Sequence, residues 1–152
     1  MRSSLRRSPA GGGALPWLLE LADDLAPSLE LVRLPALLAS MSFARLDCVA
    51  LAHLCRQLHV TKFPAFVLFK PASRGGGHEL FHGRATAHRV AAFARDAAAC
   101  SLSALGPDEF PAALRDGRPR VVDFFAPWCP PCMRLLPELR KASARRTEVP
   151  FG

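Results

Sequence analysis

The sequence contains no isoleucine, asparagine or tyrosine, and it has only 3 lysines against 17 arginines. This skew is typical of a gene rich in G and C. The formal charge is +7, and clustered cations would indicate a nucleic-acid partner. The cations are scattered, however, and no basic face interleaved with aromatic residues accompanies them. We therefore predict a basic surface but no nucleic-acid partner.

Long apolar runs are also missing. No run reaches the roughly 20 residues that a membrane span requires, because five charged residues interrupt the leucine-rich stretch over residues 15–41: Glu20, Asp23, Asp24, Glu30 and Arg33. Residues 1–7 have the charge of a secretory leader, but a segment of Ser, Pro and Gly follows where its apolar part should begin. We predict no membrane partner, and neither a signal peptide nor a retention signal is readable.

Five cysteines are an odd number, so a fully disulfide-bonded monomer would leave at least one thiol over. Cys129 and Cys132 enclose two prolines, directly after a predicted strand and at the start of a predicted helix. The free N–H groups and the dipole of a helix N-terminus stabilise a thiolate. Cys129 would therefore attack a substrate disulfide, and Cys132, one helical turn later, would resolve the mixed disulfide.

Two other roles compete with this redox interpretation: a structural disulfide and half of a zinc site. Structural zinc needs four Cys or His ligands, and no second C-x-x-C or H-x-x-x-H lies nearby. Cys55 and His59 stand at i and i+4 and could share a metal, but a histidine on a helix surface is the simpler interpretation. We predict no metal and no cofactor, and we favour redox chemistry.

The apolar periodicity predicts two series of elements. Residues 1–14 have too little apolar surface to pack and are predicted to be disordered, and residues 15–38 fit one or two amphipathic helices. The first series then follows, with strands at residues 42–48, 66–69 and 79–82 and helices at residues 51–58 and 86–98. The second series has strands at residues 102–105 and 121–125 and helices at residues 107–115 and 129–146.

The eleven residues Val-Asp-Phe-Phe-Ala-Pro-Trp-Cys-Pro-Pro-Cys at positions 122–132 resemble the active-site strand and helix of the thioredoxin and protein disulfide isomerase superfamily. Residues 133–143 are most similar to the endoplasmic-reticulum disulfide reductases that join a J domain to tandem thioredoxin domains. The resemblance covers roughly residues 42–146. The chain has no His-Pro-Asp, the signature of a J domain.

The resemblance implies roles for several further residues. Asp123, six residues before Cys129, corresponds to the buried carboxylate that exchanges a proton with the resolving cysteine. Phe63-Pro64 corresponds to the cis-proline site that holds the substrate backbone. The residues that would contact substrate are Trp128, Pro130, Pro131 and Pro64. A strand-end carboxylate is the alternative for Asp123, and an ordinary loop proline is the alternative for Pro64.

The order of these motifs departs from the family. The cis-proline of a thioredoxin domain follows its C-x-x-C, whereas Pro64 precedes Cys129. We therefore predict an α/β, thioredoxin-like fold that is partial or circularly permuted. Its predicted parts are a disordered or helical segment over residues 1–41, a C-terminal half-domain over residues 42–100, and an N-terminal half-domain over residues 101–152.

Cys48 ends a predicted strand and Cys55 lies on the next predicted helix, so a structural disulfide between them is geometrically plausible. The resembling family has cysteines at similar places. Two buried, reduced cysteines are the alternative. We predict no catalytic or structural role for Cys100.

The resemblance implies a disulfide oxidoreductase that reduces or isomerises disulfides of misfolded or client proteins in the lumen of the endoplasmic reticulum. Its partners would be those proteins and, through a J domain that this chain lacks, a chaperone. The alternative is a non-catalytic thioredoxin fragment that binds clients. Loss of Cys129 distinguishes the two, because exchange needs this thiol and binding does not.

Overall fold

The computed structural model describes residues 15–24, 26–71, 76–146 and 148–152. The predicted disorder of residues 1–14 falls outside this part of the chain. The described strands are β1 (Trp17–Ala22), β2 (Ser42–Asp47), β3 (Ala65–Phe69) and β4 (His78–Leu80). The helices are α1 (Leu29–Leu37), α2 (Ala52–Gln57), α3 (Ala87–Ala99), α4 (Glu109–Arg115) and α5 (Pro130–Arg145).

The four described strands form one mixed sheet in the order β2-β1-β3-β4. β1 pairs with β2 in parallel, from Trp17 opposite Ser42 to Ala22 opposite Asp47. β3 runs antiparallel to β1, with Leu21 opposite Ala65, and β4 closes an antiparallel pair with β3. The parallel pair is connected through α1, as a parallel crossover requires.

Apolar side chains cover both faces of this sheet. On one face, Leu18 and Phe66 pack with α1 and α3, including Leu34 and Val90. On the other face, Leu21, Val67 and three residues in and around α2 form a second cluster: Cys48, Cys55 and Leu58. A strand covered on both faces carries a continuous apolar run, which explains why residues 66–68 of β3 are all fully buried.

The predicted helices over residues 15–38 are wrong for the first part of that stretch, where β1 forms instead. Leucine favours helices in isolation, so a Leu-rich run in a sequence resembles one. Leu18 and Leu21 are fully buried on opposite sides of the sheet, and pairing on both edges of β1 overrides the local preference. α1 forms as predicted in the second part. Ser28 caps its N-terminus, where the Ser28 Oγ accepts a hydrogen bond from the Leu31 N–H at 3.1 Å.

The second series forms its helices but not its strands. α4 and α5 occupy nearly the predicted ranges. Residues 102–105 form no strand, and residues 121–125 contribute a single parallel bridge between Val121 and Phe151. A strand needs a partner along its length, and within the described residues only residues 150–152 pair with this segment.

A buried ionic cluster attaches α5 to the four-stranded sheet β2-β1-β3-β4, which we call the first sheet. Glu79 of β4 is 5% exposed and contacts both Lys70 and Arg140. Beside it, Cys100, Leu102 and Phe151 form a small apolar cluster with the inner face of α5. The two series therefore pack together, while the predicted domain boundaries stay predictions. No helix in the described part of the chain is long and apolar enough to cross a membrane.

Candidate redox site

Cys129 and Cys132 form a disulfide at the N-terminus of α5, with their Cα atoms 5.3 Å apart. Cys129 is the residue that caps the helix, and its Sγ accepts a hydrogen bond from the Cys132 N–H at 3.4 Å. The Cys129 N–H in turn donates to the Ala126 carbonyl at 2.9 Å, which closes the turn that leads into the helix.

Two prolines set the geometry of this helix start. Pro130 and Pro131 occupy its first two positions, where proline is favoured because its φ is already helical and its missing N–H would have no intrahelical partner. The first N–H available in the helix therefore belongs to Cys132, and it points at the Cys129 sulfur. When the pair is reduced, this N–H and the helix dipole both favour a thiolate at Cys129.

Two aromatic side chains are open to solvent, and one of them, Trp128, directly precedes Cys129 in the chain. Trp128 is 85% exposed and Phe124 is 78% exposed. Pro130 and Pro131 are exposed as well, whereas both cysteines are half-buried. An apolar surface of this kind, next to a reactive sulfur, can contact a polypeptide client.

Asp123 lies at the wall of a cavity of about 560 Å³. Its Oδ2 atom is buried and has no hydrogen-bond partner among the described residues, while its backbone N–H donates to the Gly152 carbonyl at 2.8 Å. A carboxylate oxygen without a donor is costly to bury, and it keeps its capacity to accept a hydrogen bond. The predicted exchange of a proton with Cys132 stays a prediction.

Three histidines line the same cavity: His59, His78 and His82. The sequence analysis did not single out the last two. Burial lowers the pKa of His78, and the neighbouring His59 lowers it further, against the opposing charge of Glu109. Burial also lowers the pKa of His82, as does the nearby Arg140. The His82 ring meets the edge of Phe125 with centroids 5.5 Å apart. Only the fold brings these histidines beside the 121–125 segment, because no spacing in the sequence links them.

Pro64 lies immediately before β3. The Phe63-Pro64 peptide bond is cis, and Ala65, which follows it, pairs with Leu21 near the end of β1. The cis bond therefore lies beside the end of β1 that leads into α1. The substrate-binding role predicted for Pro64 stays a prediction.

The remaining cysteines have separate places. Cys48 and Cys55 form the disulfide that the sequence allowed, with Cα atoms 5.8 Å apart, inside the cluster around α2. Cys100 is a buried free thiol whose Sγ donates to the Ala97 carbonyl at 3.3 Å. Across the described ranges, no group of three or more His, Cys, Asp or Glu side chains is arranged to hold a metal ion.

Comparison with known proteins shows what the chain is similar to. Residues 101–151 match the sequence profile of the family described as Thioredoxin. The chain is 42% identical over 119 residues to mouse DnaJ homolog subfamily C member 10, covering 75% of this chain and 14% of the relative. It is 36% identical over 143 residues to the Xenopus laevis protein of that name, covering 90% of this chain and 17% of the relative.

A solved structure shows the same arrangement. Crystal form I of ERdj5 superposes with a TM-score of 0.76 at 35% identity, covering 91% of this chain and 18% of that one. The chain thus spans less than a fifth of the length of each of these three relatives. The α/β, thioredoxin-like fold is confirmed, whereas its permuted character stays a prediction. The chain is a thioredoxin-fold protein, related in sequence and structure to one segment of DnaJ homolog subfamily C member 10.

Proposed function

We propose that this chain exchanges disulfides with protein clients through Cys129 and Cys132. The observation that carries the proposal is the disulfide at the start of α5, where the Cys132 N–H donates to the Cys129 sulfur. A thiolate at that position is stabilised by the helix start and is a nucleophile near neutral pH.

The exchange has two steps. The Cys129 thiolate attacks one sulfur of a client disulfide, so that a Cys129–client bond forms and the other client sulfur leaves as a thiolate. The Cys132 thiolate then attacks Cys129, the mixed disulfide breaks, and the client leaves as a dithiol. The oxidised pair seen here corresponds to the enzyme after it has reduced a client.

Neighbouring residues supply the proton transfer and the contact surface. Asp123, whose buried Oδ2 has no hydrogen-bond partner among the described residues, is the group that we propose accepts the proton of the Cys132 thiol. Trp128, Pro130 and Pro131 are exposed beside the sulfurs and contact the client chain. Pro64, at the cis peptide bond before β3, is the fourth residue that we propose contacts the client.

Family resemblance supports the setting of this chemistry. The relatives carry the name DnaJ homolog subfamily C member 10. We propose misfolded proteins with disulfides as clients, in the lumen of the endoplasmic reticulum. A chaperone partner would act through a J domain, and this chain has no J-domain motif.

A non-catalytic, client-binding role is the second candidate. The exposed Phe124 and Trp128 side chains favour it, because large exposed apolar groups bind polypeptides without any sulfur chemistry.

One set of variants distinguishes the two roles. The full chain, supplied with a small thiol reductant, should reduce the disulfides of a model protein faster than the reductant alone. Cys129→Ser should abolish this gain, and Cys132→Ser should accumulate the mixed disulfide, which mass spectrometry detects. Cys100→Ala is the matched control and should keep the activity. If the unsubstituted chain gives no gain while Cys129→Ser still binds a reduced, alkylated client, the second role replaces the first.

A further inference from the structure

The free thiol of Cys100 has an amine and a carboxylate as its neighbours. Its Sγ lies 3.7 Å from the Lys70 Nζ and 3.7 Å from the Glu79 Oε1, and those two groups form an ion pair at 2.7 Å. Lys70 directly follows β3, Glu79 lies in β4, and Cys100 caps the C-terminus of α3. The first sheet and the helix that covers it therefore bring a sulfur, a nitrogen and an oxygen together in one triangle.

This triangle is shielded from solvent. Cys100 is 4% exposed, Glu79 is 5% exposed and Lys70 is 6% exposed. Burial of this depth keeps the thiol of another protein away from the Cys100 sulfur. Hydrogen peroxide is small enough to reach the sulfur through local openings of the structure. An oxidised Cys100 would therefore react with a group inside the protein rather than with a second protein.

The surroundings of the sulfur carry more positive than negative charge. Lys70 and Arg140 face the single carboxylate of Glu79, and the Lys70 ammonium donates a weak hydrogen bond to the Cys100 sulfur. Reactive cysteines lie beside cations, whereas inert ones are buried in apolar surroundings. Cys100 thus combines the charge environment of a reactive thiol with an amine as its nearest possible reaction partner.

We propose that a hydroperoxide converts Cys100 and Lys70 into a covalent link, a sulfenamide that joins Sγ to Nζ. Sulfenic acids are known to condense with nitrogen in this way. The modification uses neither Cys129 nor Cys132 and is therefore independent of the proposed disulfide exchange.

The link forms in two steps. The Cys100 sulfur attacks one oxygen of hydrogen peroxide, the O–O bond breaks, and the other oxygen leaves as water with the thiol proton, so that a sulfenic acid remains. Glu79 then accepts one proton from the Lys70 ammonium, and the neutral amine attacks the sulfenic sulfur. The S–N bond forms, the S–O bond breaks, and the hydroxyl group leaves as water with a second proton from the nitrogen. The sulfur loses two electrons, and the peroxide gains them.

The link changes both the charges and the connectivity of the buried cluster. Lys70 loses its positive charge, because a sulfenamide nitrogen is far less basic than an amine. Glu79, once it has released the accepted proton, keeps Arg140 as its cation. The new bond joins residues separated by 30 positions and restrains the unfolded chain as a disulfide does. The urea midpoint of the protein should therefore rise after peroxide treatment and return after a thiol reductant.

The test uses the full chain with both disulfides formed, which leaves Cys100 as the one remaining thiol of the five cysteines. After treatment with hydrogen peroxide, mass spectrometry of the digested protein should find the Lys70 and Cys100 peptides joined with the loss of two hydrogen atoms. Dithiothreitol should separate them. The other two lysines, Lys62 and Lys141, are exposed and serve as internal controls. A link to either of them, an unlinked sulfenic or sulfinic acid, or an unmodified thiol would overturn the proposal.

A pair of lysine variants tests the role of the amine. Lys70→Arg keeps a positive charge but replaces the amine by a guanidinium, which stays protonated and does not attack sulfur. Its Cys100 sulfenic acid should persist and be labelled by dimedone several-fold more than in the unsubstituted chain. Lys62→Arg is the matched control and should form the link as before. Equal dimedone labelling of the two variants would overturn the proposal.

A second comparison needs no substitution in the buried cluster and holds even if Lys70→Arg destabilises the fold. Peroxide and dimedone are added to the unsubstituted chain with and without denaturing urea. Unfolding separates Lys70 from Cys100, so the link should give way to the dimedone-labelled sulfenic acid. Equal amounts of the link in folded and unfolded protein would show that the fold does not direct the reaction, and the proposal would fail.

Discussion

Arg140 of α5 donates two hydrogen bonds, at 2.9 and 2.8 Å, to the same oxygen of Glu79 in β4. The other oxygen of Glu79 pairs with the Lys70 ammonium at 2.7 Å. Arg140 also lies over the ring of Phe93 in α3, with its guanidinium carbon 5.0 Å from the ring centroid. A single carboxylate thus balances two cations from different parts of the chain and attaches the dithiol helix to the first sheet.

Replacing this carboxylate should be costly. Glu79→Gln keeps the size of the side chain but leaves two buried cations without an anion, and we expect a loss of about 3 to 5 kcal/mol in the free energy of unfolding. Urea denaturation measures it. Glu138→Gln is the matched control, because Glu138 forms an exposed pair with Lys141 and should lose less than about 1 kcal/mol. Similar losses in both variants would contradict the structural role of the buried cluster.

Two phenylalanines of very different burial should respond differently to the same substitution. Phe66 in β3 is fully buried and Phe124 is 78% exposed. Phe66→Ala removes packed surface and leaves a cavity, so we expect a loss of about 3 to 5 kcal/mol. Phe124→Ala should change stability by no more than about 0.5 kcal/mol. A large loss for Phe124→Ala would mean that residues 121–125 are packed in solution.

The Cys48–Cys55 disulfide should stabilise the first sheet through the unfolded state. It closes a loop with a sequence separation of 7, and loop closure of that size corresponds to about 2 to 3 kcal/mol. The double variant Cys48→Ala, Cys55→Ala should therefore lower the free energy of unfolding by this amount. The same measurement on Cys100→Ala tests whether the effect belongs to the disulfide. An unchanged stability of the double variant would show that the bond adds nothing.

Stability should decrease as the pH falls through the histidine range. Burial lowers the pKa of His78 and of His82 in the folded state, so the unfolded chain binds more protons below its ordinary histidine pKa of about 6.5. The free energy of unfolding therefore falls from about pH 7 to pH 5.5, and this contribution levels off below the folded-state pKa values.

Histidine variants check the origin of this slope. His78→Gln and His82→Gln should each make the pH dependence shallower, and His53→Gln, at an exposed site of α2, is the control. Identical slopes for all three variants and the unsubstituted chain would place the titration elsewhere.

Alkylation tests whether the start of α5 activates Cys129. In reduced protein with Cys48, Cys55 and Cys100 replaced by Ala, the alkylation rate of Cys129 should titrate below the free-cysteine pKa of about 8.5, because the helix start stabilises the thiolate. Mass spectrometry assigns the site. Titration at the free-cysteine value would mean that the helix start leaves the thiol unactivated.

The local patterns located several elements well. α3 and α5 follow an apolar periodicity that needs no distant partner, and the two prolines after Cys129 mark the start of α5. The strand β3 could also be predicted from a local pattern, because its residues form a continuous apolar run. The dithiol is a local motif, so its position at a helix start followed directly from the residue order.

Other elements depended on partners that the residue order does not reveal. β1 has the composition of a helix and became a strand because β2 and β3 pair with both of its edges. Residues 121–125 have the composition of a strand and formed one bridge, because among the described residues only the short segment 150–152 pairs with them.

The sequence by itself determined the helices, the buried strand β3, the dithiol at its helix start and the family resemblance of these motifs. Such features depend on residues a few positions apart, whose interactions are set by local geometry. Only the tertiary structure decided that β1 is a central strand, that Glu79 joins Lys70 to Arg140, and that His78 and His82 line a cavity with Asp123. Those relationships join residues far apart in the chain, and packing and backbone pairing select them from many contacts that the same sequence would allow.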